Sequence, residues 1–514
     1  MTGAECLLET LVANRINVCF MNPGTSEMHF VAGLDRVSGF RGVLCLYEGV
    51  CSGAADGYAR IEGGPAAILL HLGPGLGNAL SNLHNARKAR SPVVCIVGEH
   101  ATGHLKYDAP LTSDITSLAR TVSHGIRTVE SSAELGASVS ETIAAALTPP
   151  GQIATLIVPA DFSWLSSGPP GEIVPRLSRT MPPLENIRDA ANVLRSGKDG
   201  AAIILGGSST CPRGLNAVGR LAAATGVRVF MDRTAPRLAS GRGCYQAPKV
   251  PYFPEDARAA FADVTHMILV EAEAPVSFFR YPNTPSSPVP ETCMISVLAA
   301  KDEDGAGALE AVAEECGARE WLARPQESPV APSHGPLTLS TVGLALAALL
   351  PESAIVSDEM VSSGAVVLPH LTCARAHDQL PITGGSIGQG LPVAVGAAIA
   401  CPERKVVALE ADGSAMYSLQ ALWTMAREGL NVLTVILANR RYRILDIEMK
   451  RTGAPSVGKR ANDMMDLGRP DLDFVSLSRG LGVPATRATT LEEFTCQFRA
   501  AIGEPGPHLI EAVL

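Results

Sequence analysis

The feature that most constrains this chain is a rhythm. Short apolar runs, each closed by turn residues, are separated by helix-like stretches. "NVCFMNPG", "GVLCLYE", "AAILLHLGPG" and "SPVVCIVGE" recur within residues 1–165. A strand with one face in water alternates apolar and polar residues, whereas a strand covered on both faces need not. These runs do not alternate, so they predict parallel strands between layers of helices. The rhythm restarts twice. Residues 166–183, "SSGPPGEIVPRLSRTMPP", are rich in Pro, Gly and Ser and read as a linker. Residues 184–323 then carry "GAAIILGGSS", "VRVFMDR" and "HMILVEAEA". A second Pro-rich break, "RPQESPVAPSHGP" (324–336), precedes "AIVSDE", "KVVALEADG", "NVLTVILAN" and "PHLIEAVL". The expected fold is α/β, with three doubly wound parallel-sheet domains at 1–165, 184–323 and 337–514. A chain of 514 residues accommodates about three domains at roughly 150 residues each.

Composition then narrows the function. With 46% hydrophobic and 18% charged residues, the chain has an ordinary soluble, core-forming composition. Its net charge of −9, with basic residues scattered, favours neither nucleic acid nor an anionic membrane surface. The start, "MTGAECLLETLVAN", has early acids and lacks the long apolar segment of a secretory signal. The longest apolar stretches are broken by Gly, Gln or charge, so no membrane span is expected and the cytoplasm is the default compartment. The 12 Cys form no Cys-x-x-Cys, and residues such as Cys95 and Cys401 sit in apolar runs. Reduced, buried thiols are expected rather than disulfides or a zinc site.

The stretch "EADGSAMYSLQALWTMAREGLNVLTVILANRRYRIL", Glu410 to Leu445, carries the chemistry. "KVVALE" and "NVLTVILA" read as buried strands, and "SLQALWTMARE" between them as a helix with Gly429 as its C-cap. In such a βαβ unit both strands end at the same sheet edge, which places Asp412 beside Asn439. A carboxylate and an amide oxygen together suit a hard divalent ion such as Mg²⁺ or Ca²⁺. Gly413 and Ser414 open the next helix, where backbone N–H groups would face an anion, most simply a phosphate. A metal beside a phosphate-binding turn points to a diphosphate cofactor. The plainer reading is a turn in which Asp412 is only an N-cap.

The same stretch resembles the thiamin diphosphate motif, which begins Gly-Asp-Gly and ends near Asn-Asn. Its "DGSAMYSLQALWT" core resembles the benzoylformate decarboxylase and acetolactate synthase branch of that superfamily, and the resemblance covers the whole chain. It implies a pyrimidine-binding first domain, a central domain and a diphosphate-binding third domain. It also implies Mg²⁺ held by the side chains of Asp412 and Asn439 and by the carbonyl of Arg441. Cofactor contacts are implied for Ala411, Gly413, Ser414 and Tyr442. Ala411 and Ala438 stand where Gly and Asn are usual, and neither change removes a ligand. Arg441 replaces a smaller residue, so its side chain is expected to point away from the metal.

A thiamin enzyme needs a carboxylate on N1′ of the aminopyrimidine, to favour the imino tautomer that deprotonates the thiazolium. "CLYEGVCSGAADGYAR" resembles the family's Glu followed by Ala-Asp-Gly-Tyr-Ala, which assigns that role to Glu48. Taken alone, Glu48 is an acid stabilised at a helix N-terminus. In "LLHLGPGLGNALSNLHNA" the resemblance places Gly77 and Asn78 beside the cofactor and makes His71 a proton-transfer candidate; a structural His is the alternative. "MNPGTSEMHF" resembles the family's Asn-Pro-Gly loop. It puts Thr25 at the substrate carboxylate, although Thr25 or Ser26 also reads as an N-cap with Glu27 in the first turn.

The superfamily bends its cofactor over a large apolar residue. "PITGGSIGQGLPVAVGAAIA" resembles the segment that carries it, which implies Ile387 in that role, with Gly385 and Ser386 near the aminopyrimidine. The resemblance likewise makes "SDEMVSSG" a diphosphate-side loop, with Val361 and Ser362 expected near the phosphates. Pro110-Leu111 stands where acetolactate synthases usually carry Phe-Gln, and His100 and His104 are not the adjacent pair of pyruvate decarboxylases. "ILGGSSTCPRG" in the central domain is too generic a turn to assign to a flavin. The expected activity is non-oxidative decarboxylation of a 2-oxo acid, with carboligation open to it. An acetolactate synthase-like carboligase and a non-enzymatic homologue are the alternatives, and the intact Glu48, Asp412 and Asn439 count against the latter. Because the two halves of the superfamily's site meet across subunits, a homodimer or homotetramer is expected.

Overall fold

The computed structural model describes residues 1–196, 200–323, 327–454 and 458–514. The first three residues of the expected break at 324–336 lie outside them. Three sheets are present among the described residues. The first has six strands in the order β2-β1-β3-β4-β6-β5: β1 Val18–Met21, β2 Arg41–Leu44, β3 Ala66–Leu70, β4 Val93–Glu99, β5 Gly125–Thr128 and β6 Ile153–Pro159. The second has four strands in the order β11-β10-β7-β8: β7 Ala201–Leu205, β8 Arg228–Met231, β10 His266–Val270 and β11 Met294–Ala299. The third has seven strands in the order β16-β17-β15-β14-β12-β13-β9: β9 Leu238–Ser240, β12 Ile355–Glu359, β13 His377–Pro381, β14 Val406–Ala411, β15 Val432–Ala438, β16 Ala485–Ala488 and β17 His508–Val513.

The first two sheets are wholly parallel, as expected. The third departs from the expectation at one edge. β9, from the middle segment, pairs antiparallel with β13. β13 is a polar strand, His377-Asp378-Gln379, yet fully buried. Its Asp378 receives Arg237, the residue immediately before β9, at 2.9 and 2.8 Å and Arg404 at 2.6 Å. A buried carboxylate survives only with such partners, and the crossing strand brings one of them.

The first and third domains share one apolar core, in which helix Glu48–Glu62 lies against helix Gly390–Ala400. The small residues of "GVCSGAADGYAR" exist for this contact. A Cβ on Gly57 would lie 2.2 Å from the Val393 carbonyl oxygen, and one on Gly396 would lie 1.8 Å from that of Ala54. The two backbones therefore touch. Beside them Asp56 accepts from Arg60 Nε at 2.8 Å, from Ser91 Oγ at 2.5 Å and from Gln389 Nε2 at 2.7 Å. Arg60 continues to the Pro381 carbonyl at 2.8 Å and the Thr383 hydroxyl at 3.0 Å. All twelve cysteines are free. No helix among the described residues is long and apolar enough to cross a membrane.

Candidate active site

Both outer sheets reverse their direction of winding next to a pair of strands: β1 and β3 in the first, β12 and β14 in the third. Loops at such switch points part to opposite sides of the sheet and leave a crevice at the C-terminal strand ends. Nearly every residue singled out above lies on those loops.

At the first sheet, Glu48 opens helix Glu48–Glu62 and is buried. Its carboxylate accepts from Asn78 Nδ2 at 3.0 Å and Asn22 Nδ2 at 3.3 Å. The Asn of the Asn-Pro-Gly loop and the exposed Asn78 next to Gly77 therefore aim one acid. The Gly of that loop has a separate task. A Cβ on Gly24 would sit 2.2 Å from the His71 ring, so only glycine leaves the imidazole its place. Gly24, not Thr25 or Ser26, is the N-cap of the following turn, and its N–H donates to Glu27 at 2.8 Å. Thr25 is thus freed from capping and stands exposed at the loop tip. His71 and Glu48 flank Gly75: a Cβ there would lie 3.5 Å from Glu48 Oε1 and 3.5 Å from the His71 Cβ.

At the third sheet, Asp412 is the first residue of helix Asp412–Ala415, and Ala411 is its N-cap. Asp412 is therefore not the cap that its position suggested. Its Oδ2 accepts from the Arg440 N–H at 2.5 Å and its Oδ1 from the Gly413 N–H at 2.8 Å. The second bond corrects an expectation, because the Gly413 N–H is spent on the carboxylate rather than turned toward an anion. Burial raises the Asp412 carboxyl above the usual range, against the pull of the backbone N–H groups. Asn439 Oδ1 accepts from the Arg441 N–H at 2.9 Å. The Arg441 side chain leaves the site as expected: it is held by Asp446 at 2.6 Å and Asn462 at 2.5 Å. Tyr442 covers Gly413, where a Cβ would meet its ring at 2.3 Å. Ser414 is buried behind them.

The bend loop 383–390 hangs between the two edges and is fastened by helix Leu72–Ala89 of the first domain. Asn85 grips Ser386 through its carbonyl at 2.7 Å and its N–H at 3.2 Å. Asn82 donates to the carbonyls of Gly388 at 3.0 Å and of Gly49 at 2.8 Å, which ties the loop to the residue after Glu48. His84 meets the Gly384 carbonyl at 3.1 Å. Gly385 has a φ of +78°, and Ile387 stays half-buried between the fixed residues. Under the loop lie carboxyls that sequence reasoning did not single out. Glu359 accepts from the N–H of Gly388 at 2.6 Å and from that of Gly390, and burial pushes it up to about 7. Glu410, its cross-strand neighbour, is fully buried with no partner for either oxygen, and burial raises it well above the carboxylate range. Their signal was available: acids closing two apolar strands at one edge. Val361, exposed beside Ser362, has a φ of +51°, Leu72 one of +51° and Arg440 one of +59°. A non-glycine residue in that region costs about 1–3 kcal/mol and is tolerated where the surroundings fix the loop. Here such a residue follows each of β3, β12 and β15.

The donors at the third edge are a carboxylate, an amide oxygen and the Arg441 carbonyl, a hard all-oxygen set that fits Mg²⁺. No group of three His, Cys, Asp or Glu side chains able to hold a metal occurs among the described residues. A cavity of about 260 Å³ lies elsewhere, between the first and central domains, and Arg60, Lys88, Arg90, Arg179, Asp232 and Lys301 are among its lining residues.

These features match known proteins. Residues 1–124 match the thiamine pyrophosphate enzyme N-terminal TPP-binding domain, and residues 365–512 match the C-terminal TPP-binding domain of such enzymes. The chain belongs to the thiamine pyrophosphate enzyme family. It is 49% identical over 522 residues to the Mycobacterium tuberculosis protein IlvX, named as a candidate acetolactate synthase large subunit, covering 100% of this chain and 99% of that one. It is 28% identical over 531 residues to benzoylformate decarboxylase of Pseudomonas aeruginosa, covering 98% of this chain and 97% of that one. The thiamine diphosphate-dependent 4-hydroxybenzoylformate decarboxylase of Rhodococcus jostii superimposes with a TM-score of 0.85 at 25% identity, covering 99% of this chain and 98% of that one. The protein is thus a thiamin diphosphate-dependent enzyme of the decarboxylase and acetolactate synthase type.

Proposed function

We propose that the chain is a Mg²⁺-dependent, non-oxidative decarboxylase of a 2-oxo acid, with carboligation open to the same site. The observation that carries this reading is the pair Glu48 and His71 on either side of Gly75 at one sheet edge. Glu48, aimed by Asn22 and Asn78, would hold the aminopyrimidine N1′ and its proton. His71 would move a proton to or from the reacting carbons, and Thr25 would meet the substrate carboxylate. Asp412, Asn439 and the Arg441 carbonyl would hold Mg²⁺. Gly77, Val361, Ser362, Ser414 and Tyr442 would surround the cofactor, and the Gly385-Ser386-Ile387 segment would support its bend. When bound, thiamin diphosphate supplies the carbon nucleophile for the 2-oxo carbonyl and takes up the electrons released with CO₂.

An acetolactate synthase-like carboligation is the second reading, favoured by the name of the 49% identical relative. Incubation with pyruvate, benzoylformate and branched 2-oxo acids separates the two. CO₂ with free aldehyde supports decarboxylation, acetolactate or acetoin supports carboligation, and turnover of none of them defeats both. We further propose a homodimer or homotetramer in which Glu48 of one copy serves the metal site of another. An active species of monomer mass in light scattering would overturn this.

A further inference from the structure

Glu27, the acid in the first turn after the Asn-Pro-Gly loop, has no part in the proposed chemistry. Its surroundings do not suit a capping residue alone. The side chain is buried, 3% exposed, and reaches from the loop after β1 across the end of β3 to that of β4. There a Cβ on Gly98 would lie 1.8 Å from Glu27 Oε1, so Gly98 is the residue that makes room for the carboxylate. Oε1 is buried without a hydrogen-bond partner. Oε2 accepts the Gly24 N–H at 2.8 Å and lies 2.9 Å from His71 Nδ1. Two glycines, Gly24 and Gly98, thus clear space for one imidazole and one carboxylate.

Nδ1 of the imidazole is thereby engaged. A carboxylate at Nδ1 selects the tautomer with the proton on that nitrogen and leaves Nε2 as the atom that exchanges protons with a ligand. We infer that Glu27 is the positioning residue of the site: it fixes the tautomer and the orientation of His71, so that Nε2 faces the reacting carbon. Burial raises the Glu27 carboxyl, and His71 opposes that rise. The other titratable groups near neighbouring strand ends include Tyr47 and Glu48 after β2, Glu99 as the last residue of β4, and His100 and His104 beyond it. The inference rests on the proposed decarboxylase reading for its effect on rate, but not for its effect on the His71 ring.

The test therefore has two arms, both on the full chain loaded with thiamin diphosphate and Mg²⁺. In the first, kcat and KM are measured for whichever 2-oxo acid the substrate panel identifies. Glu27→Gln, which keeps an acceptor and loses the charge, should lower kcat about tenfold, and Glu27→Ala about a hundredfold, each with KM within about threefold of the parent value. Glu27→Ala added to His71→Ala should cost nothing further, because a positioning residue acts only through its partner. An equal additional loss in the double variant, or unchanged kcat in both single variants, would overturn the inference. The second arm needs no turnover. Carbethoxylation of His71, mapped by peptide mass spectrometry, should stop at one group in the parent, where Nδ1 is engaged, and proceed to two in Glu27→Ala. Two groups in the parent would overturn the assignment. A parent that modifies once yet turns over none of the acids would instead defeat the decarboxylase reading and leave the dyad standing. If Glu27→Ala fails to fold, Glu27→Gln still decides through kcat and KM.

Discussion

The central sheet and its outer neighbours end their strands in similar small-residue turns and use them in opposite ways. After β7, the Gly206-Gly207-Ser208 turn is filled by the chain's own Glu271. That carboxylate accepts from the Ser208 N–H and hydroxyl, both at 2.7 Å, from the Gly305 N–H at 3.0 Å and from Arg179 at 2.6 Å. A Cβ on Gly207 would lie 2.0 Å from it, and Glu271 adopts a φ of +51° to reach the turn. Its lone pairs are all answered internally. At the outer edges Asp412 and Glu48 are only steered. Asp412 is held by two backbone N–H groups with Asn439 beside it, and Glu48 by two carboxamides. The lesson is that a glycine-rich strand end marks a place where backbone and an anion come close; it does not say whether the anion is a ligand or a side chain.

The comparison can be broken at its open side first. Glu48→Gln should lower CO₂ release by about 10³-fold or more while cofactor titration stays near the parent curve. Near-normal turnover would remove Glu48 from the chemistry. Asp412→Ala should weaken retention of thiamin diphosphate through dialysis by at least the ~100-fold that loss of a metal site's supporting contacts costs. Unchanged retention would contradict the metal assignment. On the closed side, Glu271→Ala should cost about 3 kcal/mol in denaturant unfolding, since it leaves Arg179 uncompensated, while the cofactor titration does not move. A changed cofactor affinity would show that the central turn is not self-contained.

The smallest effect concerns pH. Glu359 is raised from 4.5 to about 7 by burial, so the folded chain binds its proton more tightly than the unfolded chain does. Stability of the cofactor-free protein should fall as pH rises from about 4.5 to about 7, each unit of difference being worth ~1.4 kcal/mol at most. Glu359→Gln should flatten that slope in thermal unfolding at pH 5 and pH 7.5.

Much of this was legible because parallel strands covered on both faces are plainly apolar: "AAILL" of β3 and "VLTVILA" of β15 could be little else. What stayed hidden depends on partners distant in sequence. β13 reads as a polar loop until Arg237 and Arg404 meet Asp378. β9 could not be placed, since three residues show no preference for a sheet in another domain. Glu48, Asp412 and Asn439 were singled out as candidates because motif spacing carries them. Glu27 was not, because its relation to His71 arises only from the adjacency of β1 and β3. Asp56 and Arg60 stand four residues apart, a helix-face pair visible in the sequence; that they would clamp the bend loop was not.

That clamp implies an order of assembly. The segment around Ile387 takes its hydrogen bonds from Asn82, His84 and Asn85, more than three hundred positions nearer the ribosome's starting point. During synthesis those side chains leave the tunnel long before the segment they hold, so the early part of the polypeptide acts as the mould in which the later part sets. A carboxy-terminal fragment made alone would lack its mould, and supplying the amino-terminal fragment in trans should restore the shape.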